Sequence, residues 1–266
     1  MPTLPELPEK VLLKITKFLD FQSLVTLRKV CHDLRNFIDD AIPKSSISGI
    51  SLTVTSGDVV LELDNSRAES RKMSYSQIGQ EAVDIFWRDF ELLLKHQTST
   101  LTNFTVLLEY PGKIKKLERS ILERTHSRFL NRLQEFLLSL KDPLPIENIV
   151  LKIENQSQIM KVLPHIDVNA LESISIHPVR GREMEILDLS KVIETEQWTK
   201  AKELAILDFF VKEPMESFTH FDSCRISVMA VSEGLLRKLK DSLLFSPNLE
   251  AFELHHKPVK ESERKS

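Results

Sequence analysis

The sequence is poor in the residues that mark the commonest catalytic and cofactor-binding motifs. Only six glycines occur in 266 residues, at 49, 57, 79, 112, 181 and 234, and the closest two lie eight apart. Phosphate loops and dinucleotide fingerprints bring backbone N–H groups up to phosphate with glycines about two to five positions apart, so neither can be built. The glycine-flanked nucleophilic serine of many hydrolases is excluded on the same ground. Cys31 and Cys224, the only two cysteines, are too few for a disulfide framework or a four-thiolate zinc site. Eight histidines are scattered, none four residues from another, and the adjacent His255 and His256 point in different directions. No metal and no cofactor is expected. Charge of one sign is also missing: 36 Lys+Arg against 39 Asp+Glu leaves 36 − 39 = −3, which holds neither nucleic acid nor an anionic membrane. No run approaches the roughly 20 apolar residues that cross a bilayer.

The opening residues MPTLPELPEKVLLKI have no basic region, and Glu6, Glu9 and Lys10 interrupt their apolar positions, so no secretion signal is read. With only two cysteines, the expected location is a reducing interior, cytoplasmic or nuclear. Asn103-Phe-Thr105 and Asn155-Gln-Ser157 then match the glycosylation acceptor pattern by coincidence. What is present is core-forming material. With 41% hydrophobic and 28% charged residues the chain can bury a sizeable core, and its length suggests two domains.

Residues 4–40 carry a helical period. Val11, Leu12, Ile15, Phe18 and Leu19 fall on one stripe, and Pro8 and Glu9 suit a helix start, predicting a helix over about 8–19. Leu24, Leu27, Val30, Cys31, Leu34 and Ile38 continue at spacings of three and four, with Ser23 and Asp33 as candidate caps of two shorter helices. A three-helix unit this small seldom sustains a core alone, so part of its apolar surface needs a partner or a neighbouring domain. Each side chain so covered contributes roughly 1.5–3 kcal/mol before the costs of association.

The pattern Leu7-Pro8, Val11-Leu12, Ile15, Phe18-Leu19-Asp20, Leu24, Leu27-Arg28, Val30-Cys31, Leu34-Arg35 and Ile38-Asp39 resembles the F-box nearly end to end. It departs at Ser23, where many members have an acidic residue, and at Leu34, where many have tryptophan. The resemblance implies a substrate receptor of a cullin-RING ubiquitin ligase, docking a Skp-type adaptor and through it the cullin. Leu7, Pro8, Val11, Leu12, Ile15, Leu19 and Leu24 would carry adaptor docking.

Beyond Pro43 the period changes. Ile50, Leu52 and Val54 alternate with polar residues, Ser56-Gly57-Asp58 is a turn signal, and 59–63 reads as a second strand of a hairpin. The polar stretch 64–77 reads as a loop or an edge. A spacing of three then two recurs among apolar residues: Ile47/Ile50/Leu52, Leu101/Phe104/Val106, Ile146/Ile149/Leu151, Leu171/Ile174/Ile176, Ala201/Leu204/Ile206, Phe221/Cys224/Ile226 and Leu249/Phe252/Leu254. Helical segments are read between them over Glu81–His96, Leu117–Leu140, Gln156–Leu163, Leu187–Trp198 and Glu233–Phe245. This rhythm suggests a leucine-rich-repeat-like solenoid with a parallel sheet, though the usual repeat asparagine is missing. The fold class is therefore α/β, or α+β overall, with a helical head over 1–42, a strand and helix domain over 45–256, and a charged tail over 257–266. With an F-box in front, and with FTVLLE, LESISI and NLEAFEL along the repeat, the domain resembles the FTH domain of the nematode-expanded F-box family. That resemblance implies a protein-interaction region and carries over no catalytic residue.

Arg124, Arg128 and Arg132 are four apart on one helix face, with Lys113, Lys115, Lys116 and Arg119 upstream, and form a candidate ridge for an acidic or phosphorylated ligand. The alternative is a solvated face opposite a core stripe of Leu117, Ile121, Phe129, Leu133, Phe136 and Leu140. Aromatics that could stack RNA bases are not interleaved with the ridge. Trp87, Trp198, Cys31 and Cys224 read as core residues. The reading that follows is a non-catalytic receptor that captures an unidentified protein substrate. Two alternatives stay open: a binding scaffold whose head merely caps the solenoid, burying Leu12 and Ile15 against 45–60, and an enzyme with an unmarked site.

Overall fold

The computed structural model describes residues 3–16, 18–19, 21–41, 47–65, 70–76, 80–95, 97, 99–110, 116–179, 185–244 and 249–256. A single 3-10 turn at Leu4–Glu6 leads into α1 (Glu9–Thr16), α2 (Phe21–Arg28) and α3 (His32–Ala41). The Pro8 carbonyl accepts from the N–H groups of Val11 and Leu12, and Glu9 sits at the positive end of the α1 dipole. α1 stops short of residue 19, because the Thr16 hydroxyl turns back onto the Leu13 carbonyl and Phe18 and Leu19 close tight turns onto Ile15 and Thr16. Ser23 and Asp33 are not caps: α2 and α3 begin ahead of them, so each lies within a first turn. Arg28 grips Asp39 with two hydrogen bonds, 2.6 and 3.0 Å, tying α2 to α3. Leu12, Leu24, Leu34 and Ile38 are buried in this head, outside the apolar cluster that fills the rest of the chain.

β1 (Ile47–Val54) and β2 (Asp58–Asn65) pair antiparallel, and the Thr55 hydroxyl accepts from the N–H groups of Gly57 and Asp58 to shape the turn. Within the polar 64–77 stretch lies β3 (Ser70–Ser76), an edge strand on β2. The sheet continues with β4 (Leu101–Leu108), β5 (Ile146–Ile153), β6 (Ser173–Pro178), β8 (Glu203–Val211), β9 (Ser223–Val228) and β10 (Ala251–His256); the short β7 (Glu185–Leu187) pairs with the far end of β8. The order is β10-β9-β8-β6-β5-β4-β1-β2-β3, parallel throughout except for the pairings of β2 with β1 and β3.

The triplet spacing sets the register. Ile50, Phe104, Ile149, Ile174, Leu204, Cys224 and Phe252 pair strand to strand in one lateral row. Leu52, Val106, Leu151, Ile176 and Ile206 form a second row two residues on, on the same face. A chain that always adds its next parallel strand on the same side, with right-handed crossovers, places every crossover on one face of the sheet. α4 (Gln80–Lys95), α5 (Lys116–Ser139), α6 (Gln156–Ile159), α7 (Glu196–Lys200) and α8 (Glu233–Leu244) supply those crossovers. Phe86, Phe90, Leu130, Leu133, Ile159 and Trp198 from this layer join the strand rows in a single core.

Three further expectations are corrected. Leu187–Trp198 is not a helix: Leu187 ends β7, and the Glu213 and Gln156 side chains take the N–H groups of Leu189 and Lys191, both at 2.6 Å, in place of helical carbonyls. Only from Thr195, whose hydroxyl accepts from the Trp198 N–H, does a short helix form. On α5 the buried stripe runs through Leu122, His126, Phe129, Leu133 and Phe136, leaving Ile121 56% exposed. Cys31 is half-buried between α2 and α3 rather than in a core. Asp208 adopts a left-handed φ of 63°, in the stretch where the β8 register on β9 shifts. Aspartate is among the few residues that tolerate this region.

Candidate functional site

On the head, helical spacing gathers apolar side chains that α1, α2 and α3 do not cover. Ile15 and Leu19 from α1 and the turn after it, Leu27 and Val30 from α2 and its exit, and Leu4 line a shallow groove of about 500 Å³. Ser23 and Thr26 complete it, and 23, 26, 27 and 30 recur at the spacing of one helix face. Phe18, 90% exposed, Val30, 66%, and Val11, 40%, leave large apolar side chains in water on the same head. Small helical units do not retain such surface without something to cover it.

The residues expected to dock an adaptor divide three ways. Ile15 and Leu19 line the groove; Leu7 is half-buried, and Pro8 and Val11 are exposed. Leu12 and Leu24 are buried inside the head. Leu4, Thr26, Leu27 and Val30 also line the groove, and helical spacing along α2 and its exit marks the last three. Leu12 is buried, but not in the sheet core as a solenoid cap would require, and Ile15 remains half-exposed.

The second candidate surface is the sheet face opposite the helices. Ser51, Thr105, Val150, Ser175 and Ala205 form a lateral row of small neutral side chains, each half-exposed. The row ends in charges that satisfy one another: Glu62 with Lys72 at 2.7 Å on one side, and Arg225 with Glu253 at 2.6 and 2.8 Å on the other. Two residues further along the strands, Thr53, Leu107, Lys152 and His177 form a parallel row. Burial lowers the pKa of His177, the Asp208 carboxylate opposing that shift and Lys152 adding to it.

The arginine ridge is only partly free. Arg132 reaches Glu91 on α4 at 3.2 Å and Glu135 at 3.5 Å, and its guanidinium lies 6.0 Å from the centre of the Trp87 ring. Arg124 and Arg128 are exposed, without an ion-pair partner among the described residues. Lys113 and Lys115 lie outside the described residues. Trp87 packs with Phe86, Phe90 and Phe129, and Trp198 donates its ring N–H to the Ser217 carbonyl at 3.1 Å, so neither is a surface anchor. Cys224 is buried, which pushes its thiol up to about 12, far from a reactive thiolate. Among the described residues no three His, Cys, Asp or Glu side chains converge as metal ligands, and no helix is long and apolar enough to cross a membrane.

A family model of the F-box domain matches residues 4–46, and one of the FTH domain matches residues 127–265. The second match begins inside α5, yet the core runs on without a break from Ile47 to Leu239. No curated protein and no solved structure matches the chain.

Proposed function

The chain belongs to the FTH domain family and carries an F-box at its N-terminus, and from that premise we propose that it is a substrate receptor of an SCF-type ubiquitin ligase. F-box proteins are generally non-catalytic receptors. The ubiquitin-transfer chemistry then belongs to other subunits, and this chain contributes proximity. The observation that carries the reading is the F-box match over a head whose groove side chains, Ile15, Leu19, Leu27 and Val30, stand uncovered. The Skp-type adaptor occupies that groove and the cullin follows through it. Leu12 and Leu24, already buried, hold the helices in place rather than touch the adaptor.

The substrate, a protein, lies across the open sheet face. Small side chains in the Ser51-to-Ala205 row let a backbone or broad surface come close, and the paired charges at each end set its limits. Residues 45–256 act as this capture unit, with the head as a separate docking module.

Purified Skp-type adaptor tests the reading by pull-down with wild-type protein and with Ile15→Asp/Leu19→Asp, circular dichroism verifying the fold of each. Two covered apolar side chains are worth about 3 kcal/mol together, so binding weakens by at least about a hundredfold. An unbound wild-type chain would instead leave a protein-binding scaffold that recruits no ligase.

A further inference from the structure

Where the head meets α4, residues from α2 and its exit, α3 and α4 line an open cavity of about 160 Å³: Arg28, Lys29, Arg35, Ile85, Arg88 and Asp89. Its charges do not cancel. The Arg28 guanidinium is spent on Asp39, at 2.6 and 3.0 Å. Lys29 lies 3.4 Å from Asp89, a buried carboxylate that also accepts from the Tyr75 hydroxyl at 3.2 Å. Arg35 of α3 and Arg88 of α4 have no ion-pair partner among the described residues, and Arg88 gives only its Nε to the Asp84 carbonyl at 3.3 Å. Two solvent-exposed guanidinium groups, one from α3 and one from α4, thus line one cavity without an acidic partner among the described residues.

We propose that this seam is a phosphate-binding site. The two uncompensated charges match a phosphate group, which carries about −1.5 to −2 at neutral pH. Guanidinium forks bind its oxygens bidentately, and a cavity of roughly 150 Å³ admits a benzene-sized group, so a phosphoryl group fits. The phosphate is free in solution or borne on a phosphorylated side chain of the captured protein; only the second source rests on the receptor reading. Either way the anion bridges α3 and α4 and locks the head against the sheet domain. That fixes how a substrate on the sheet is presented to whatever the head holds. Arg28, Lys29 and Arg35 share no side chain with the adaptor groove.

The test is calorimetric titration of the full chain at low salt with inorganic phosphate and with N-acetyl-phosphoserine amide. Wild type binds saturably, and binding weakens as the pH falls below about 6, where phosphate takes up its second proton. Arg35→Gln/Arg88→Gln weakens binding at least about tenfold. Lys200→Gln/Lys240→Gln, which removes the same charge from exposed positions on α7 and α8, leaves it unchanged. Should the glutamine pair unfold, Arg35→Lys/Arg88→Lys keeps the charge, loses the fork and reads the same direction of loss. Absence of saturable wild-type binding, or equal weakening by the seam and control pairs, overturns the site. Tighter binding of the phosphoserine probe than of inorganic phosphate assigns the site to a phosphorylated protein, and the reverse order to a free anion. Adaptor pull-downs on the same preparations report separately on the receptor reading.

Discussion

His126 should make the protein less stable in mild acid than its overall charge suggests. It occupies a position on the buried stripe of α5 that its neighbours fill with leucine and phenylalanine, is fully buried, and has no hydrogen-bond partner on either ring nitrogen among the described residues. Tyr110 meets the ring edge-on at 5.2 Å, and the Tyr110 hydroxyl is itself taken by Glu154. Burial lowers the pKa of the ring, outweighing the Glu154 carboxylate and the backbone oxygens of Val54 and Glu109, which favour the charged form. A histidine whose folded pKa lies below its unfolded value binds its proton more readily unfolded, so stability falls as pH falls through the unfolded value of about 6.5. If the buried ring stays neutral, the loss between about pH 7.5 and about pH 5 reaches at most about 2 kcal/mol. His126→Leu fits the stripe, removes the unsatisfied nitrogens and abolishes this contribution. Urea unfolding of both proteins across that pH range should give a variant at least as stable near pH 7.5, with an advantage that grows toward pH 5. His165 and His177, also lowered by burial, act in the same direction in both proteins and cancel from the difference. Equal pH slopes for wild type and His126→Leu would refute the reasoning.

The lateral rows predict a sharp contrast between the two faces of one strand. Phe104→Ala, in the buried row between Ile50 and Ile149, should cost about 3–5 kcal/mol, roughly 6–20 °C in Tm, whereas Thr105→Ala next to it should shift Tm little; similar losses from both, measured by calorimetry, would contradict a sheet with one open face. In the head, Asp39→Asn removes the charge behind a half-buried bidentate pair and should cost about 1–2 kcal/mol, visible as faster amide exchange across 9–41 with the sheet domain unaffected. Exchange that rises equally in both regions would mean that the head does not unfold on its own.

Much of the strand layout is legible in the sequence because a strand's side chains alternate and an apolar pair two apart marks one face. The three-then-two spacing around Phe104, Ile149, Ile174 and Leu204 marks the buried positions and aligns them in register, since each strand buries the same two positions on a shared helix layer. The α5 stripe is less legible, because His126 breaks it with a polar side chain and Ile121 offers a competing apolar position one residue from Leu122. The irregular course of Leu187–Trp198 is illegible for another reason. Its backbone N–H groups are taken by Gln156 and Glu213, acceptors 35 and 24 residues away, and local spacing carries no trace of them.

The candidate sites divide along the same line. The apolar face of the first two helices, and with it the F-box resemblance, follows from helical period within forty residues, because every contributor is a near neighbour in the chain. Which of those side chains stay uncovered was decided by packing: Leu12 and Leu24 turn inward, while Phe18 and Val30 remain in water. The basic seam is a purely tertiary product. Arg28, Lys29 and Arg35 stand close in sequence, but Arg88 and Asp89 arrive only when α4 packs against the head, Asp89 lying 60 residues beyond the lysine it pairs with. The sequence by itself determined periods, hence faces and register. The tertiary structure alone decided which charges meet and which remain uncompensated, because electrostatic pairing depends on distance in space and ignores separation along the chain.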